Sequence, residues 1–534
     1  MIEPILLVHG YSAESAQNTA QSLAATFGDL PAQLRQELQK RGDPAPIVDI
    51  NISRYISMDD GVDLDDISLA FDRALREQPF YQTQKTFNAI IHSTGALVVR
   101  NWVRRFSRDH DPDRSPCRRI IHLAGANLGS GWAHIGESLL AKWLRYIGEG
   151  GQERGMAVLE GLELGSAWSI DLHRHFLSVG NRMWEEYGVQ EFSLVGSQCP
   201  PDWMLVPFRY GKEDGSDGVV RVSASNLNFN YLRIAPARPL YAIDWAAASD
   251  WAQDTVTRSV QHQTAAFADG EVFAGGYYAL AEQNIAGVDR LAIPFGIPYS
   301  TAHSTATIGI VYGLENRANV IPHVADALLC DGSDAARQQL IASFDAATTL
   351  SDQTIIGGNA ATGESHPSLI RRLLNDAEHL AGVIDRYLTV PEAQYDRHAQ
   401  VIVRVFDQNG KPINDSAIHF NSLGGDGTPD LLINALFEDT HVNNAAPNTT
   451  TFYLRVGKWD APSRTWVDSL AAVNGVDLEI DCIDAKTNRI CFLPLRMRIP
   501  EEVLAQYVQP HRTTIIDVAL VRLPDAETFS VFPA

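Results

Sequence analysis

Residues 88–100 read NAIIHSTGALVVR, and this stretch decides the fold that the sequence predicts. An apolar run ends at HSTG, residues 92–95, and a helical pattern begins at once. The apolar positions of that helix recur at intervals of three and four, the spacing of one buried helix face. They are Val99, Trp102, Val103 and Phe106. The stretch therefore predicts a buried strand, a tight turn with Ser93 at its apex, and an amphipathic helix.

Two interpretations of Ser93 compete. Strand, tight turn and helix with a serine at the apex are the context of a nucleophile elbow, in which the helix N-terminus favours negative charge beside the hydroxyl. A serine before a helix is also a common N-cap. The usual elbow pattern is G-x-S-x-G; Gly95 fits it, but Ile91 stands where a small residue is usual. The rest of the chain has to decide between the two.

The composition bounds the class of protein. A chain of 534 residues is long enough for two or three domains, and 45% hydrophobic with 20% charged residues is ordinary for a globular protein. A net charge of −22 argues against binding nucleic acid or an anionic membrane through a basic patch. No apolar run approaches the length of a transmembrane helix. The N-terminus lacks a signal-type pattern, so we expect a cytoplasmic protein, or a secreted one whose signal was removed.

The five cysteines are scattered without metal-type spacing, so no metal site is predicted. Cys482 and Cys491 flank a predicted hairpin that would set them opposite each other. A disulfide and a pair of free thiols both remain open for this pair, and a cytosolic location favours free thiols.

Strands alternate with helices over residues 1–315, which indicates a mostly parallel sheet with helices on both faces. A helical insertion at 129–181 is interpreted either as a cap or lid or as an extension of the core. Residues 316–397 are predicted to form a mainly helical extension or connector. From residue 398 the pattern changes to period 2 with Asn-Gly turns, which predicts an all-β sandwich over 398–534.

A serine nucleophile needs a base and a group that orients the base, and on this kind of sheet they follow in the order Ser, acid, His. Asp217 is the candidate acid, because its Asp-Gly turn opens an apolar segment just after a predicted strand. The alternative is an ordinary solvated acidic turn, such as the one at Asp214-Gly215.

His303 is the candidate base, because it follows the last predicted strand of the sheet in a polar loop. His262, in an Ala-rich region, and His323, at the start of a helix-like stretch, are the downstream alternatives. The two oxyanion N–H donors would come from Thr94, after the nucleophile, and from the Gly10-Tyr11 loop after the first strand.

The histidines beside these segments are assigned local roles. His9 is interpreted as structural, holding the loop after the first strand. His92 is interpreted as a local hydrogen-bonding residue, because in a tight turn it would point away from Ser93.

In combination these segments resemble the α/β-hydrolase superfamily, in particular bacterial lipases and esterases. The resemblance rests on LVHGY at 7–11, IHSTG at 91–95, SDGVVRVS at 216–223 and YSTAHS at 299–304. It covers about residues 1–315. It implies the α/β-hydrolase fold and a catalytic triad of Ser93, Asp217 and His303. It also implies oxyanion donors at Tyr11 and Thr94.

The resulting hypothesis is a serine hydrolase that cleaves carboxylic esters, with no cofactor. The helical insertion and the β domain favour a lipid-like or bulky ester. A polyester depolymerase or an acyltransferase on the same machinery remains open. So does a non-catalytic binding or scaffold protein on a degenerate hydrolase fold, which Ile91 favours. By analogy with lipases that carry a C-terminal β domain, residues 398–534 are expected to contact a lipid interface or a protein, or only to stabilise the hydrolase domain.

Overall fold

A computed structural model describes much of the chain, and every structural statement below concerns those residues. They are 2–9, 27–50, 61–130, 156–198, 215–258, 272–273, 276–304, 308–311, 313–314, 316–357, 396–423, 429–430, 432–460, 463, 465–484 and 489–523. The chain forms two compact units. Unit 1 comprises Met1–Asn228, Ala292–Asp396 and Ala461–Arg464, and unit 2 comprises Phe229–Leu291, Arg397–Asp460 and Thr465–Ala534.

The strands are numbered in chain order. They are β1 Ile5–Val8, β2 Ile47–Asp49, β3 Phe87–His92, β4 Cys117–Leu123, β5 Gln190–Leu194, β6 Asn230–Pro236, β7 Val272–Phe273, β8 Tyr278–Asn284, β9 Phe295–Gly296, β10 Arg397–Asp407, β11 Ala417–Leu423, β12 Pro429–Asp430, β13 Phe437–Val442, β14 Thr449–Asp460, β15 Thr465–Asp468, β16 Gly475–Asp481, β17 Ile483–Asp484, β18 Arg489–Ile490, β19 Leu495–Pro500 and β20 Thr513–Leu520.

The α-helices are numbered in the same way. They are α1 Leu30–Lys40, α2 Leu64–Arg76, α3 Gly95–Arg105, α4 Ser107–His110, α5 Met156–Leu162, α6 Ala167–His175, α7 Val222–Ser225, α8 Trp245–Arg258, α9 Arg317–Leu329, α10 Asp334–Gly357 and α11 Glu501–Tyr507. Short 3₁₀ turns lie at Pro79–Gln82, Leu240–Ala242, Ile433–Leu436 and Leu470–Ala472.

Unit 1 is built on a parallel sheet in the order β2-β1-β3-β4-β5-β9. One face of the sheet packs on α1, α9 and α10. On the other face, the Trp102 ring of α3 lies 5.5 Å from Phe71 of α2 and 5.6 Å from Phe87 of β3, measured between ring centroids. The strands are apolar on both faces because helices cover both. The predicted α/β fold with helices on both sides of a parallel sheet is confirmed.

Local signals explain where two helices of unit 1 begin. Asp63 caps α2 with a capping box, since its side chain accepts the N–H groups of Asp65 and Asp66 while the Asp66 side chain accepts the Asp63 N–H. Pro31 lies in the first turn of α1, where its missing N–H costs no helical hydrogen bond. Residues 10–26 lie outside the described ranges.

Unit 2 is a sandwich of two sheets around one apolar core. The larger sheet has the order β13-β14-β10-β20-β6-β8-β7, with β15 on β14, and the smaller one has the order β12-β11-β16-β19. Both sheets contribute side chains to the core. Pro494 falls between β18 and β19, and β19 is an edge strand, the place in a sheet where a nearby proline is tolerated.

The larger sheet of unit 2 contains strands from outside residues 398–534, the range that the sequence predicted for the β domain. Residues 229–291, which the sequence placed within 1–315, supply β6, β7 and β8. β6 pairs in parallel with β20, and the Tyr231 hydroxyl donates to Asp517 at 2.9 Å. Burial of Leu232 and Ile234 in the core of unit 2 stabilises this pairing. The sheet is therefore mixed, with parallel strands at its centre.

The segment predicted as a helical extension or connector, residues 316–397, belongs almost entirely to unit 1. Of residues 316–397, the described helices α9 and α10 pack in the core of unit 1, where Val320, Val324 and Phe344 are fully buried. The insertion at 129–181 is described only in part, and its helices α5 and α6 bury Val158 and Leu172. Its role as a lid stays a prediction.

Cys482 and Cys491 lie opposite each other, as expected, and both are free thiols. The Cys491 N–H donates to the Cys482 carbonyl at 3.1 Å.

Within the described ranges, no helix combines the length and the apolar character needed to cross a bilayer.

Candidate active site

The turn between β3 and α3 places Ser93 in a strained backbone conformation. Its φ is 55°, in the left-handed region that residues other than glycine rarely adopt. The conformation is held from the neighbouring strand: the Ser93 N–H donates to the Leu123 carbonyl, and the Ala126 N–H donates to the Ser93 carbonyl, each at 3.3 Å. Strain of this kind persists only when the surroundings hold it, and it occurs often at functional sites.

Gly95 is required by the close approach of the end of β1 to the start of α3. A Cβ at Gly95 would lie 2.9 Å from the Val8 carbonyl oxygen and 3.3 Å from that of His9. Ile91, the departure from the usual pattern, is fully buried and shares the face of β3 that carries Phe87, on the α3 side. The bulky side chain has not displaced Ser93 from its partners.

Asp217 is fixed by its own turn. Its Oδ1 accepts the N–H groups of Val219 at 3.0 Å and Val220 at 2.8 Å, and its N–H donates to the Val220 carbonyl at 3.2 Å. Gly218 has a φ of 97°, which this turn requires. The side chain is fully buried. One carboxylate oxygen is thus occupied by the turn, and Oδ2 is directed at His303.

His303 joins the other two residues. Its Nδ1 lies 2.9 Å from Asp217 Oδ2, and its Nε2 lies 3.2 Å from Ser93 Oγ. The loop around it is tied by hydrogen bonds between Ala302 and both Ile308 and Ile310, each 2.8 Å long. The structure therefore brings Ser93, His303 and Asp217 into one chain of contacts. Ser93 lies 210 residues from His303 in sequence, and Asp217 lies 86 residues from it.

The remaining candidates are placed as follows. Thr94 is buried and forms the N-cap of α3, so its N–H lies outside the helical hydrogen bonds at the positive end of the helix. His323 lies in α9, where its ring packs 5.3 Å from that of Phe344. Tyr11, Asp214 and His262 lie outside the described residues.

His92 has a partner that the sequence did not identify. Its Nε2 lies 3.3 Å from the His303 carbonyl oxygen, and the two rings are 4.8 Å apart between centroids. Burial, together with His303 and His9 nearby, holds the pKa of His92 well below its usual value. The ring is therefore neutral near pH 7. The HSTG motif put a histidine beside Ser93, but a partner 211 residues away leaves no local signal.

A buried ion pair links α3 to the sheet. Arg100 of α3 lies 3.2 Å from Glu191 of β5, and His122 of β4 lies 3.1 Å from the same carboxylate oxygen. Burial lowers the pKa of His122 below its usual value. This cluster ties the helix that follows Ser93 to two strands of the sheet. An arginine within the apolar start of α3 was its only sequence signal.

The described residues include no group of three or more His, Cys, Asp or Glu side chains arranged to hold a metal ion. Asp217 occupies His303 Nδ1, and His303 Nε2 faces Ser93 Oγ, so the chemistry that the arrangement allows is proton transfer between Ser93 and His303. A serine activated in this way is a nucleophile.

Comparison with known proteins supports the fold. No protein-family model matches this sequence, and no characterised protein matches it at a significant level. Among solved structures, phospholipase PlaB from Legionella pneumophila is similar with 21% identity and a TM-score of 0.70, covering 100% of this chain and 97% of that one. The same protein in complex with thio-NAD gives 20% identity and a TM-score of 0.69, with the same coverage of 100% and 97%.

A lipase from Bacillus licheniformis, BlEst2, is similar over 42% of this chain and 79% of its own, with 19% identity and a TM-score of 0.29, which is too low to carry weight. At these identities the PlaB structures show a shared fold. The predicted α/β-hydrolase fold with an added β domain is thereby confirmed.

Proposed function

We propose that this protein is a serine hydrolase that cleaves carboxylic esters through Ser93, His303 and Asp217. One observation carries the proposal: His303 Nε2 lies 3.2 Å from Ser93 Oγ while its Nδ1 lies 2.9 Å from Asp217 Oδ2. A serine, a base and an orienting acid in this order along the chain are the parts that acyl transfer needs. The strained φ of Ser93 supports the same role.

The first half of the proposed reaction acylates Ser93. Its Oγ attacks the ester carbonyl carbon while the hydroxyl proton passes to His303 Nε2. The tetrahedral intermediate collapses when the bond to the alcohol oxygen breaks, and that oxygen takes the proton from Nε2. An alcohol leaves, and the acyl group stays on Ser93 as an ester.

The second half returns the enzyme to its starting state. His303 Nε2 takes a proton from water, whose oxygen attacks the acyl carbon. The bond from that carbon to Ser93 Oγ then breaks, Oγ recovers the proton, and a carboxylic acid leaves. The buried Asp217 carboxylate keeps the His303 proton on Nδ1 and stabilises the imidazolium that forms in each half.

Negative charge on the carbonyl oxygen needs donors near Ser93. In this proposal the Thr94 N–H at the start of α3 is one donor, and the helix dipole adds to its effect. The second donor is assigned to the Tyr11 N–H, which lies outside the described residues. Removing one such donor typically costs about 10²–10³-fold in kcat.

For the substrate we propose a lipid-like ester. The fold shared along the full chain with a protein named as a phospholipase supports testing glycerophospholipids first, as an argument by analogy. A series of p-nitrophenyl esters from acetate to palmitate gives the acyl preference. A sharp preference for acetate would contradict the lipid-like assignment while leaving ester hydrolysis in place.

The test is labelling of the full chain by a fluorophosphonate together with ester hydrolysis. We expect Ser93→Ala to abolish both. The matched control is Ser107→Ala, a buried serine in the same unit whose hydroxyl donates to the Val103 carbonyl, and it should keep both activities. A wild-type protein that neither labels nor hydrolyses esters would favour the binding or scaffold alternative. Formation of new esters with added alcohols would identify an acyltransferase.

A further inference from the structure

His92 is next to Ser93 in sequence, yet its ring faces the histidine across the site. Its Nε2 lies 3.3 Å from the His303 carbonyl oxygen. The two imidazole rings are 4.8 Å apart between centroids and tilted by 42°. Both side chains are buried, with 8% and 1% of the residue exposed for His92 and His303.

His303 is held by two partners that act on different atoms. Asp217 binds it twice, at the backbone N–H and at ring Nδ1, with both distances 2.9 Å. Those two contacts leave the carbonyl side of His303 and the face of its ring unsupported by Asp217. His92 contacts both of these.

We propose that His92 is a positioning residue for His303: its Nε2–H donates to the His303 carbonyl, and its ring packs on the imidazole so that Nε2 of His303 stays directed at Ser93 Oγ. The inference rests on the proposed function. It assigns the neutral tautomer with the proton on Nε2, because a carbonyl oxygen can only accept.

The neutral state of His92 suits this role. When His303 takes the serine proton it becomes an imidazolium with its ring centre 4.8 Å from that of His92. A second positive charge at that distance would oppose proton transfer. Burial and the proximity of His303 hold the pKa of His92 far enough down that it remains an uncharged donor.

Three variants separate the donor from the ring. His92→Phe keeps a ring and removes the donor, His92→Gln keeps a donor and removes the ring, and His92→Ala removes both. We expect kcat to fall by about 3–10-fold in His92→Phe, the size of one lost hydrogen bond. KM should stay unchanged, and the rate of fluorophosphonate labelling should fall by the same factor. His92→Gln should recover more activity than His92→Ala.

The shape of the pH profile distinguishes positioning from proton transfer. A positioning residue lowers the plateau of kcat/KM in His92→Phe without moving the midpoint of its acid limb. A moved midpoint would overturn the proposal. Equal losses of kcat in His92→Phe and His92→Gln, together with equal losses of thermal stability in both variants, would overturn it too, because they would indicate a merely structural role. Labelling of His92→Phe at the wild-type rate would overturn it as well. That outcome differs from failure of the proposed function, because there the wild-type protein itself would neither label nor hydrolyse esters.

One measurement needs no variant. In a crystal structure of the wild-type protein with a phosphonate on Ser93, His92 Nε2 should remain within hydrogen-bond distance of the His303 carbonyl. A His92 ring turned away from His303 in that adduct would contradict the proposal even if every variant failed to fold.

Discussion

Asp217 and His303 are joined twice, once through the backbone and once through the side chains. The His303 N–H donates to the Asp217 carbonyl at 2.9 Å, and His303 Nδ1 lies 2.9 Å from Asp217 Oδ2. The two contacts fix both the loop that carries the imidazole and the orientation of its ring. A substitution of the Asp217 side chain removes only the contact to the imidazole ring and leaves the backbone contact that holds the loop.

Under the proposed function, Asp217→Asn should therefore abolish ester hydrolysis while preserving the loop. The amide still accepts at one oxygen but no longer stabilises an imidazolium, and the corresponding change in a well-studied Ser-His-Asp triad lowers kcat by on the order of 10⁴-fold. Steady-state hydrolysis of a p-nitrophenyl ester measures the loss, and thermal unfolding serves as the control for folding. Activity within about tenfold of wild type would contradict the role assigned to Asp217.

Gly196→Ala should displace the loop that carries His303. A Cβ at Gly196 would lie 2.1 Å from the Thr301 carbonyl oxygen, which is backbone and has no rotamer to yield. We expect a loss of about 1–3 kcal/mol in the free energy of unfolding and a larger relative fall in kcat. Gly42→Ala is the matched control, since a Cβ there meets nothing within 4 Å although its φ of 83° is strained for alanine. That control should lose stability and keep kcat.

Val518→Asp should unfold the segment 229–291 together with the rest of unit 2. The segment supplies β6, β7 and β8 of the same sheet, and β6 pairs with β20. Val518 is fully buried in β20, between Val405 of β10 and Ile234 of β6. A carboxylate there costs several kcal/mol, so we expect unit 2 to unfold and limited proteolysis to cut within 229–291.

Esterase activity should fall in Val518→Asp because that segment lies between Asp217 and His303 in the chain. Val467→Asp, at a half-exposed position of β15, is the control and should resist the protease. Full activity in a Val518→Asp protein with an unfolded unit 2 would contradict this dependence.

Acid should destabilise the protein before its carboxylates titrate. Burial holds the pKa values of His92, His122 and His175 below the usual 6.5, that of His175 at about 4. The unfolded chain binds these protons near pH 6.5 and the folded chain only at lower pH, so stability is full above 6.5 and is lost as the pH falls below it.

Urea unfolding at pH 7.5 and 5.0 measures this loss. Each fully buried histidine contributes at most about 1.4 kcal/mol per pH unit within the window. His175→Gln removes one contributor and should reduce the difference between the two midpoints. Equal midpoints at both pH values in the wild type would be inconsistent with buried neutral histidines.

Thiol reactivity should differ between the two opposed cysteines. Burial raises the pKa of Cys482 to about 12, so almost none of it is thiolate at pH 8, whereas Cys491 is partly exposed. Brief iodoacetamide treatment with peptide mapping should modify Cys491 first. Cys491→Ser should leave Cys482 unmodified under the same conditions, and modification of Cys482 at the wild-type rate of Cys491 would contradict its burial.

The candidate site was predictable to the extent that each part is encoded locally. Ser93 follows an apolar strand and precedes a periodic helix, and Asp217 sits in a turn whose Asp-Gly sequence forms its own hydrogen bonds. Their order along the chain, with His303 last, then matched the resemblance. The partner of His92 and the Arg100–Glu191 pair were not predictable, because each joins residues that are far apart and carry no mutual signal.

The sequence by itself determined the elements and their order: an elbow-like turn at Ser93, a parallel sheet around it, and strands of period 2 near the C-terminus. Tertiary structure alone decided that β6 belongs beside β20, where Tyr231 meets Asp517 across 286 residues. The physical reason is that alternation marks a strand and its buried face but not its neighbour, since backbone N–H and C=O groups pair equally with any strand. Only the packing of both sheets around one core selects the partner.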